Sequence, residues 1–181
     1  MKARVMVAGL ATAGLLALTG CGNNPQVAAY VGGPGSAVNV TVTQAEVDRI
    51  ATAIAAATSD AYDTGAAFAP AVMSIKVQSA VVDQVAKDKA ITVTDAQREA
   101  FYATQELYPL LAKDPVTHDF MVSYATTATV LSDKTAATAF AELIAKTPVR
   151  VNPRFGVWDD TKGSLVDGGS GSLSEAAPTT G

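Results

Sequence analysis

Apolar residues recur at helical spacing in the first half of the chain. Val47, Ile50 and Ile54 are three or four residues apart, which predicts an amphipathic helix that fades between residues 60 and 65. A second helix is predicted from Pro70 to about residue 90, where two adjacent apolar stripes run side by side. A helix that is apolar over half of its circumference belongs in the centre of a domain.

Three more helices are predicted between residues 95 and 146. The third continues until Pro109 bends or ends it, and its inward stripe consists of Ala100, Ala103, Leu107 and Leu111. The fourth opens at Asp114 and Pro115, and its inward stripe consists of Val116, Phe120, Tyr124, Thr127 and Leu131. The fifth runs from about residue 133 to residue 146. The sequence therefore predicts a mainly helical fold with five helices.

Two of these helices are preceded by capping boxes. Thr43 with Glu46, and Thr94 with Gln97, have the spacing at which each side chain satisfies the free backbone N–H of the other residue. Residues 27–31 and 38–42 are strand-like and flank a Gly/Pro turn, which predicts a hairpin. Residues 148–151 are a third strand candidate.

The first twenty residues have the layout of a cleaved secretory signal. Basic Lys2 and Arg4 precede an apolar run at residues 5–18, which is shorter than the roughly 17 residues that a membrane-spanning helix needs. Residues 18–21 resemble the bacterial lipobox, which implies that Cys21 becomes the acylated N-terminus. The alternative is an ordinary secretory signal with an incidental cysteine. Residues 21–26 are then a short tether, and stable anchoring requires more than one acyl chain.

Charge and composition narrow the possible partners. Lys2 and Arg4 are the only charged residues in the signal, so its removal changes the formal net charge from −4 to −6. An acidic chain without a basic run is a poor nucleic-acid binder. From Gly163 onward small and polar residues dominate, which predicts a disordered tail at residues 161–181 and a folded domain at residues 27–160.

A search for catalytic chemistry finds no established motif. His118 is the only histidine, and it lies about 200° around its helix from Val116, so it should face solvent. With Cys21 acylated, no second histidine or thiol remains for a zinc site, and no cofactor is expected. The acidic pairs at residues 114/119 and 159/160 are typical of helix starts and turns. We therefore expect no enzymatic activity.

Aromatic and methionine side chains are concentrated on the predicted third and fourth helices. Most of them should lie in the core, but Tyr102, Tyr108 and Met121 fall away from the centres of the predicted inward stripes. Exposed apolar patches mark interaction sites. These three residues are therefore predicted to border a shallow groove for extended polypeptide.

The order of several short motifs resembles the N-terminal domain of SurA-type chaperones. The sequence V-G-G at residues 31–33, followed by V-T-Q-A-E-V at residues 42–47, is similar to the opening of that domain. A long helix followed by A-I-T-V-T-D at residues 90–95 is similar to its central junction, with Ala90 in place of a glycine. Residues 34–39 lengthen the opening turn. Residues 152–159 resemble the ending of short actinobacterial lipoproteins of this group.

The resemblance implies a fold in which short strands from both ends of the chain lie side by side. Longer relatives carry a parvulin prolyl isomerase domain with paired histidines, for which this chain has neither the histidines nor the length. The resemblance thus implies a chaperone-like lipoprotein on the extracytoplasmic face of the cell membrane, anchored in the lipid bilayer through Cys21, which binds unfolded or secreted polypeptides. Two alternatives are a scaffold lipoprotein of an envelope complex and a degenerate prolyl isomerase.

Overall fold

A computed structural model of the chain describes residues 24, 26–58 and 65–166. The predicted signal at residues 1–20, the predicted lipidation site Cys21, most of the predicted tether and residues 167–181 lie outside the described residues, as do residues 59–64. The described part contains six α-helices and five β-strands and is mainly helical. The predicted fold class is confirmed, with one helix more than the sequence predicted.

Strands from the two ends of the domain form one antiparallel sheet in the order β2-β1-β3. They are β1 (Val27–Gly32), β2 (Asn39–Thr43) and β3 (Val149–Val151). Within the sheet, Val31 lies opposite both Val40 of β2 and Val149 of β3. The predicted hairpin and the predicted pairing of the terminal strands are both confirmed.

Helix α1 (Gln44–Ala57) begins at the predicted position, but only half of the predicted capping box forms. The Thr43 hydroxyl accepts a hydrogen bond from the backbone N–H of Glu46 at 3.3 Å. The Glu46 carboxylate instead pairs with Lys76 Nζ at 2.7 Å, which links α1 to the next long helix, α2 (Ala69–Asp88). A tertiary ion pair has therefore replaced the reciprocal local hydrogen bond.

Helix α2 is the central helix, as predicted, and its buried residues belong to two clusters. The larger cluster joins the three-stranded sheet, α1 and the first half of α2 to the helices around Met121. The smaller one surrounds the end of α2 and contains Val82, Val85, Val93, Val130 and Ala136. Among the described residues, no helix combines the length and hydropathy needed to cross a bilayer.

The predicted third helix is two helices, α3 (Asp95–Tyr102) and α4 (Tyr108–Lys113). Thr94 and Gln97 form the complete predicted capping box at the start of α3. The chain then turns at residues 103–107, and Pro109 occupies the first turn of α4. Proline is well accommodated there because no helical N–H is lost. Pro109 thus begins a helix, whereas the sequence predicted that it would bend or end one.

Helices α5 (His118–Ser132) and α6 (Lys134–Ile144) complete the helical part. Helix α5 starts a few residues later than predicted, because Asp114 stabilises a preceding turn. The Asp114 carboxylate accepts hydrogen bonds from the backbone N–H groups of Val116 at 2.8 Å and Thr117 at 3.1 Å. Helix α6 starts at the predicted position, where the Asp133 side chain accepts a hydrogen bond from the backbone N–H of Ala136.

The ordered domain extends past the predicted boundary at residue 160. Strand β4 (Val157–Asp159) pairs with β5 (Ser164–Val166), and Leu165 packs against the larger core cluster. The Gln78 side chain also donates a hydrogen bond to the carbonyl oxygen of Gly163 at 2.8 Å. The prediction of disorder is therefore wrong for residues 161–166, because a hairpin needs only a few apolar side chains when it packs onto a helix.

Candidate functional site

The three residues predicted to border a groove have different environments in the structure. Met121 is 1% exposed and Tyr102 is 6% exposed, so both belong to the core. Tyr108 is half-buried at the start of α4. The prediction that Tyr102 and Met121 border an open groove is therefore wrong.

The helix packing explains both errors. Helix α5 contacts α2, α3, α4 and α6, so more than one of its stripes is buried, and Met121 lies on the second of them. On α3 the predicted inward stripe lies on the solvent-facing side of the helix. Ala100 and Ala103 are exposed, and the side that faces the core carries Phe101 and Tyr102.

Tyr108 belongs to a compact group of aromatic rings contributed by α3, α4 and α5. Its ring stacks on Phe101 with centroids 5.2 Å apart, and Tyr124 meets Phe101 edge-on at 5.0 Å. Such pairs contribute about 0.5–1.5 kcal/mol beyond the area that they bury. All three rings are half-buried, so this group is both part of the core and part of the surface.

The hydroxyl oxygens of Tyr108 and Tyr124 are 3.5 Å apart. The hydrogen bond to Tyr124, followed by burial, raises the pKa of Tyr108 to about 12. The phenol therefore stays protonated at physiological pH and acts as a neutral hydrogen-bonding group with an apolar ring.

Two leucines lie close to this group in the sequence, at the start and in the middle of α4. Leu107 is half-buried and Leu110 is 63% exposed, one helical turn further on. We define the aromatic face as Phe101, Leu107, Tyr108 and Tyr124. Leu110 is a separate exposed leucine on α4. The sequence predicts a single third helix with Leu107 in its inward stripe and makes no prediction for Leu110. The structure divides that helix into α3 and α4.

His118 is exposed, as the sequence predicted, and lies at the first position of α5. Its Nδ1 is 2.7 Å from the carbonyl oxygen of Ala112 near the end of α4. This contact satisfies a carbonyl group that has no partner within its helix. His118 therefore links the start of α5 to the end of α4.

Two of the four acidic residues considered in the sequence, Asp114 and Asp159, stabilise turns. Asp114 caps the turn before α5, and Asp159 Oδ1 accepts hydrogen bonds from the backbone N–H of Thr161 at 2.9 Å and of Lys162 at 3.2 Å. The hydrogen bond from the Thr161 hydroxyl is the main cause that lowers the pKa of Asp159. Within the described part of the chain, no group of three or more histidine, cysteine, aspartate or glutamate side chains is arranged to hold a metal ion.

The aromatic face combines partly exposed apolar rings with two hydroxyl groups, those of Tyr108 and Tyr124. Comparisons of the chain with protein-family models, with curated proteins and with solved structures found no match.

Proposed function

We propose that this protein is a lipoprotein, anchored on the extracytoplasmic face of the cell membrane, that binds unfolded or extended polypeptide without catalysing a reaction. The observation that carries the proposal is the aromatic face, whose three rings are half-buried and so remain partly open to solvent, together with Leu110, which is 63% exposed on the same short helix as Tyr108. Exposed apolar groups of this kind are typical of interaction sites. Tyrosine is especially suited to such a site because it combines a large apolar ring with a polar end.

The resemblance of the sequence to the SurA-type N-terminal domain supports the same class of partner. It rests on the motifs at residues 31–33 and 42–47, which lie at the end of β1, the end of β2 and the start of α1, and on the motif at residues 90–95, which follows α2. The pairing of the terminal strands is compatible with that resemblance.

The test is binding of a permanently unfolded chain. Reduced and carbamidomethylated ribonuclease A should bind the purified protein, and native ribonuclease A should not. Leu110→Ser should weaken binding severalfold and leave the thermal midpoint nearly unchanged, because this side chain is exposed. Val157→Ser is the matched control, since Val157 is 55% exposed on the β4–β5 hairpin.

The alternative functions give different results in the same assays. A scaffold lipoprotein of an envelope complex would not bind unfolded ribonuclease A. That result would overturn the proposal. A degenerate prolyl isomerase would accelerate cis–trans isomerisation of a proline peptide, whereas the proposed function predicts the uncatalysed rate.

The membrane anchor is tested at Cys21. Cys21→Ser should release the protein from membranes or leave an uncleaved precursor, because the thiol that would be acylated is absent. Intact-mass measurement of the wild-type protein should show a mature N-terminus at Cys21 with added acyl mass. A mature N-terminus elsewhere, without acyl mass, would contradict this part of the proposal.

A further inference from the structure

The two outer edges of the three-stranded sheet differ in chemistry. Strand β3 is flanked by Pro148 and Pro153, carries Arg150, and has β4 beside it. Prolines, charged side chains and covering segments are the features that keep a sheet edge from pairing with another chain. The β3 edge is therefore protected.

As far as the described residues show, the β2 edge has none of these features. Its five residues are asparagine, valine and threonine, without charge or proline. All of them except Val42 are exposed. Within residues 26–58 and 65–166, β1 is the only strand that pairs with β2.

The register shows which backbone groups of β2 face outward. The Gly32 N–H donates to the carbonyl oxygen of Pro148 at 2.8 Å, so the peptide groups of Gly32 are directed towards the β3 side. These directions alternate from one residue to the next along an antiparallel strand. The peptide groups of Val31 are therefore directed towards β2, where Val40 lies opposite Val31. The N–H and C=O groups of Val40 are therefore directed towards β1. The N–H and C=O groups of Asn39 and Thr41 are directed away from the sheet.

Side chains on β2 indicate what would cover this edge. Val38, just before β2, and Val40 and Val42 within β2 are two residues apart, so their side chains lie on the same face of the sheet. Val38 and Val42 are 3% and 1% exposed, but Val40 between them is 40% exposed. One additional strand along β2 would continue this face and shield Val40 from water.

We infer that the outer edge of β2 binds an extended polypeptide segment as an added strand, and this inference rests on the proposed function. The backbone of the segment forms hydrogen bonds with Asn39 and Thr41, and a small apolar side chain of the segment packs beside Val40. Binding through main-chain groups tolerates many sequences, because every residue except proline carries the same donor and acceptor. An open depression of about 490 Å³ lies at the Thr43 end of β2 and is lined by Gln26, Thr43, Gln44, Ala45 and Asp48.

A flexible segment fits this edge better than a second copy of the protein. Five residues form only about 17 Å of strand, whereas a stable interface between folded proteins buries roughly 1,000 Å² or more. Removal of Lys2 and Arg4 also leaves a formal charge of −6 on each copy, so two copies repel one another. An uncharged or basic segment avoids this repulsion.

The direct test is amide hydrogen exchange, resolved to single residues, on the purified protein with and without reduced and carbamidomethylated ribonuclease A. The amides of Asn39 and Thr41 should exchange more slowly when the unfolded chain is bound. The Val40 amide is already paired with β1 and should change little. The Val157 amide, on the separate hairpin, is the internal reference.

Two variants test the same edge. Val40→Lys places a charge where an added strand would pack, and Thr41→Pro removes one outward N–H without breaking the pairing with β1. Each should weaken binding of the unfolded chain by about fivefold or more, Thr41→Pro because one hydrogen bond is lost and Val40→Lys because a charge would be buried under the added strand. Val157→Lys is the matched control for charge and should bind as the wild-type protein does.

The outcomes separate the inference from the proposed function. If the unfolded chain binds but the Asn39 and Thr41 amides are not protected, the inference is wrong and the proposed function stands. If the unfolded chain does not bind at all, both are wrong. Protection of these two amides that depends on protein concentration and needs no unfolded chain would assign the edge to a second copy, and would also overturn the inference.

Discussion

At the scale of single residues, the number of neighbours around a helix decides whether a side chain is accessible. Met121 lies only about 100° from Phe120, and both are buried because α5 is packed on several sides. A helical stripe drawn from sequence assumes one buried side and therefore overestimates what the opposite side exposes.

The burial of Met121 gives a direct prediction. Met121→Ala should lower the free energy of unfolding by about 2–5 kcal/mol, because it leaves a cavity in a closely packed region. Leu110→Ala, at an exposed position, should change it by no more than about 0.5 kcal/mol. Urea denaturation of the two variants checks this. Equal effects would mean that Met121 lies at the surface in solution.

The Tyr108–Tyr124 pair predicts a pH dependence of stability. The folded protein raises the pKa of Tyr108 from 10.0 to about 12, so folding favours the protonated phenol. This contribution is complete below pH 10 and is lost as the pH rises from about 10 to about 12. Urea denaturation across this interval should show a smaller loss of stability in Tyr108→Phe than in the wild-type protein. Parallel curves for the two proteins would contradict the assignment.

At the scale of secondary-structure elements, local signals in the sequence were reliable where the backbone decides the outcome. The Thr94–Gln97 capping box and the Gly/Pro turn of the first hairpin formed as predicted. The division between α3 and α4 was missed because Pro109 is compatible both with ending one helix and with beginning another. The choice depends on tertiary packing of Tyr108 and Leu111, which local sequence does not encode.

The end of α2 shows a conformation that the sequence does not favour. Ala90 has a φ of 53°, in the left-handed region, and the N–H of Ile91 donates to the carbonyl oxygen of Ala86 at 2.8 Å. This geometry is typical of a helix end at which glycine is preferred. The alanine at this position, which departs from the pattern of the family that the sequence resembles, therefore carries backbone strain.

Ala90→Gly should raise the free energy of unfolding by about 1 kcal/mol, because glycine adopts a positive φ without a steric penalty. Ala86→Gly is the matched control within α2 and should lower it by about 1 kcal/mol, since glycine is unfavourable inside a helix. Thermal or urea denaturation of both variants shows whether each substitution raises or lowers the free energy of unfolding. A destabilising effect at both positions would show that Ala90 does not have a positive φ in solution.

At the scale of the whole molecule, the domain is closed by contacts between its ends. The pairing of residues 29–31 with residues 149–151 was accessible from sequence only through the resemblance to a family, since no local pattern specifies which strands pair. The aromatic face and the β2 edge depend on how the elements pack. For this reason the sequence predicted only Tyr108 of the aromatic face and made no prediction for the β2 edge.

The second hairpin predicts where the folded domain ends. Removal of residues 161–181 should lower the free energy of unfolding by about 2 kcal/mol or more, because it removes Leu165 from the core and the Gly163 acceptor of Gln78. Removal of residues 167–181, which the sequence predicts to be disordered, is the control and should have little effect. Equal stability of the two truncated proteins would place the hairpin outside the cooperative unit.

The position of β1 between β2 and β3 also determines when folding can finish. The chain is synthesised from its N-terminus, so β1 and β2 are available early, but the residues that pair with the other side of β1 follow more than one hundred positions later. Contacts between residues so distant in sequence are slow to form because a long loop must close first. A nascent chain interrupted anywhere before Val149 leaves one side of β1 unpaired, so incomplete products remain recognisable to proteases and only the nearly finished chain acquires protection.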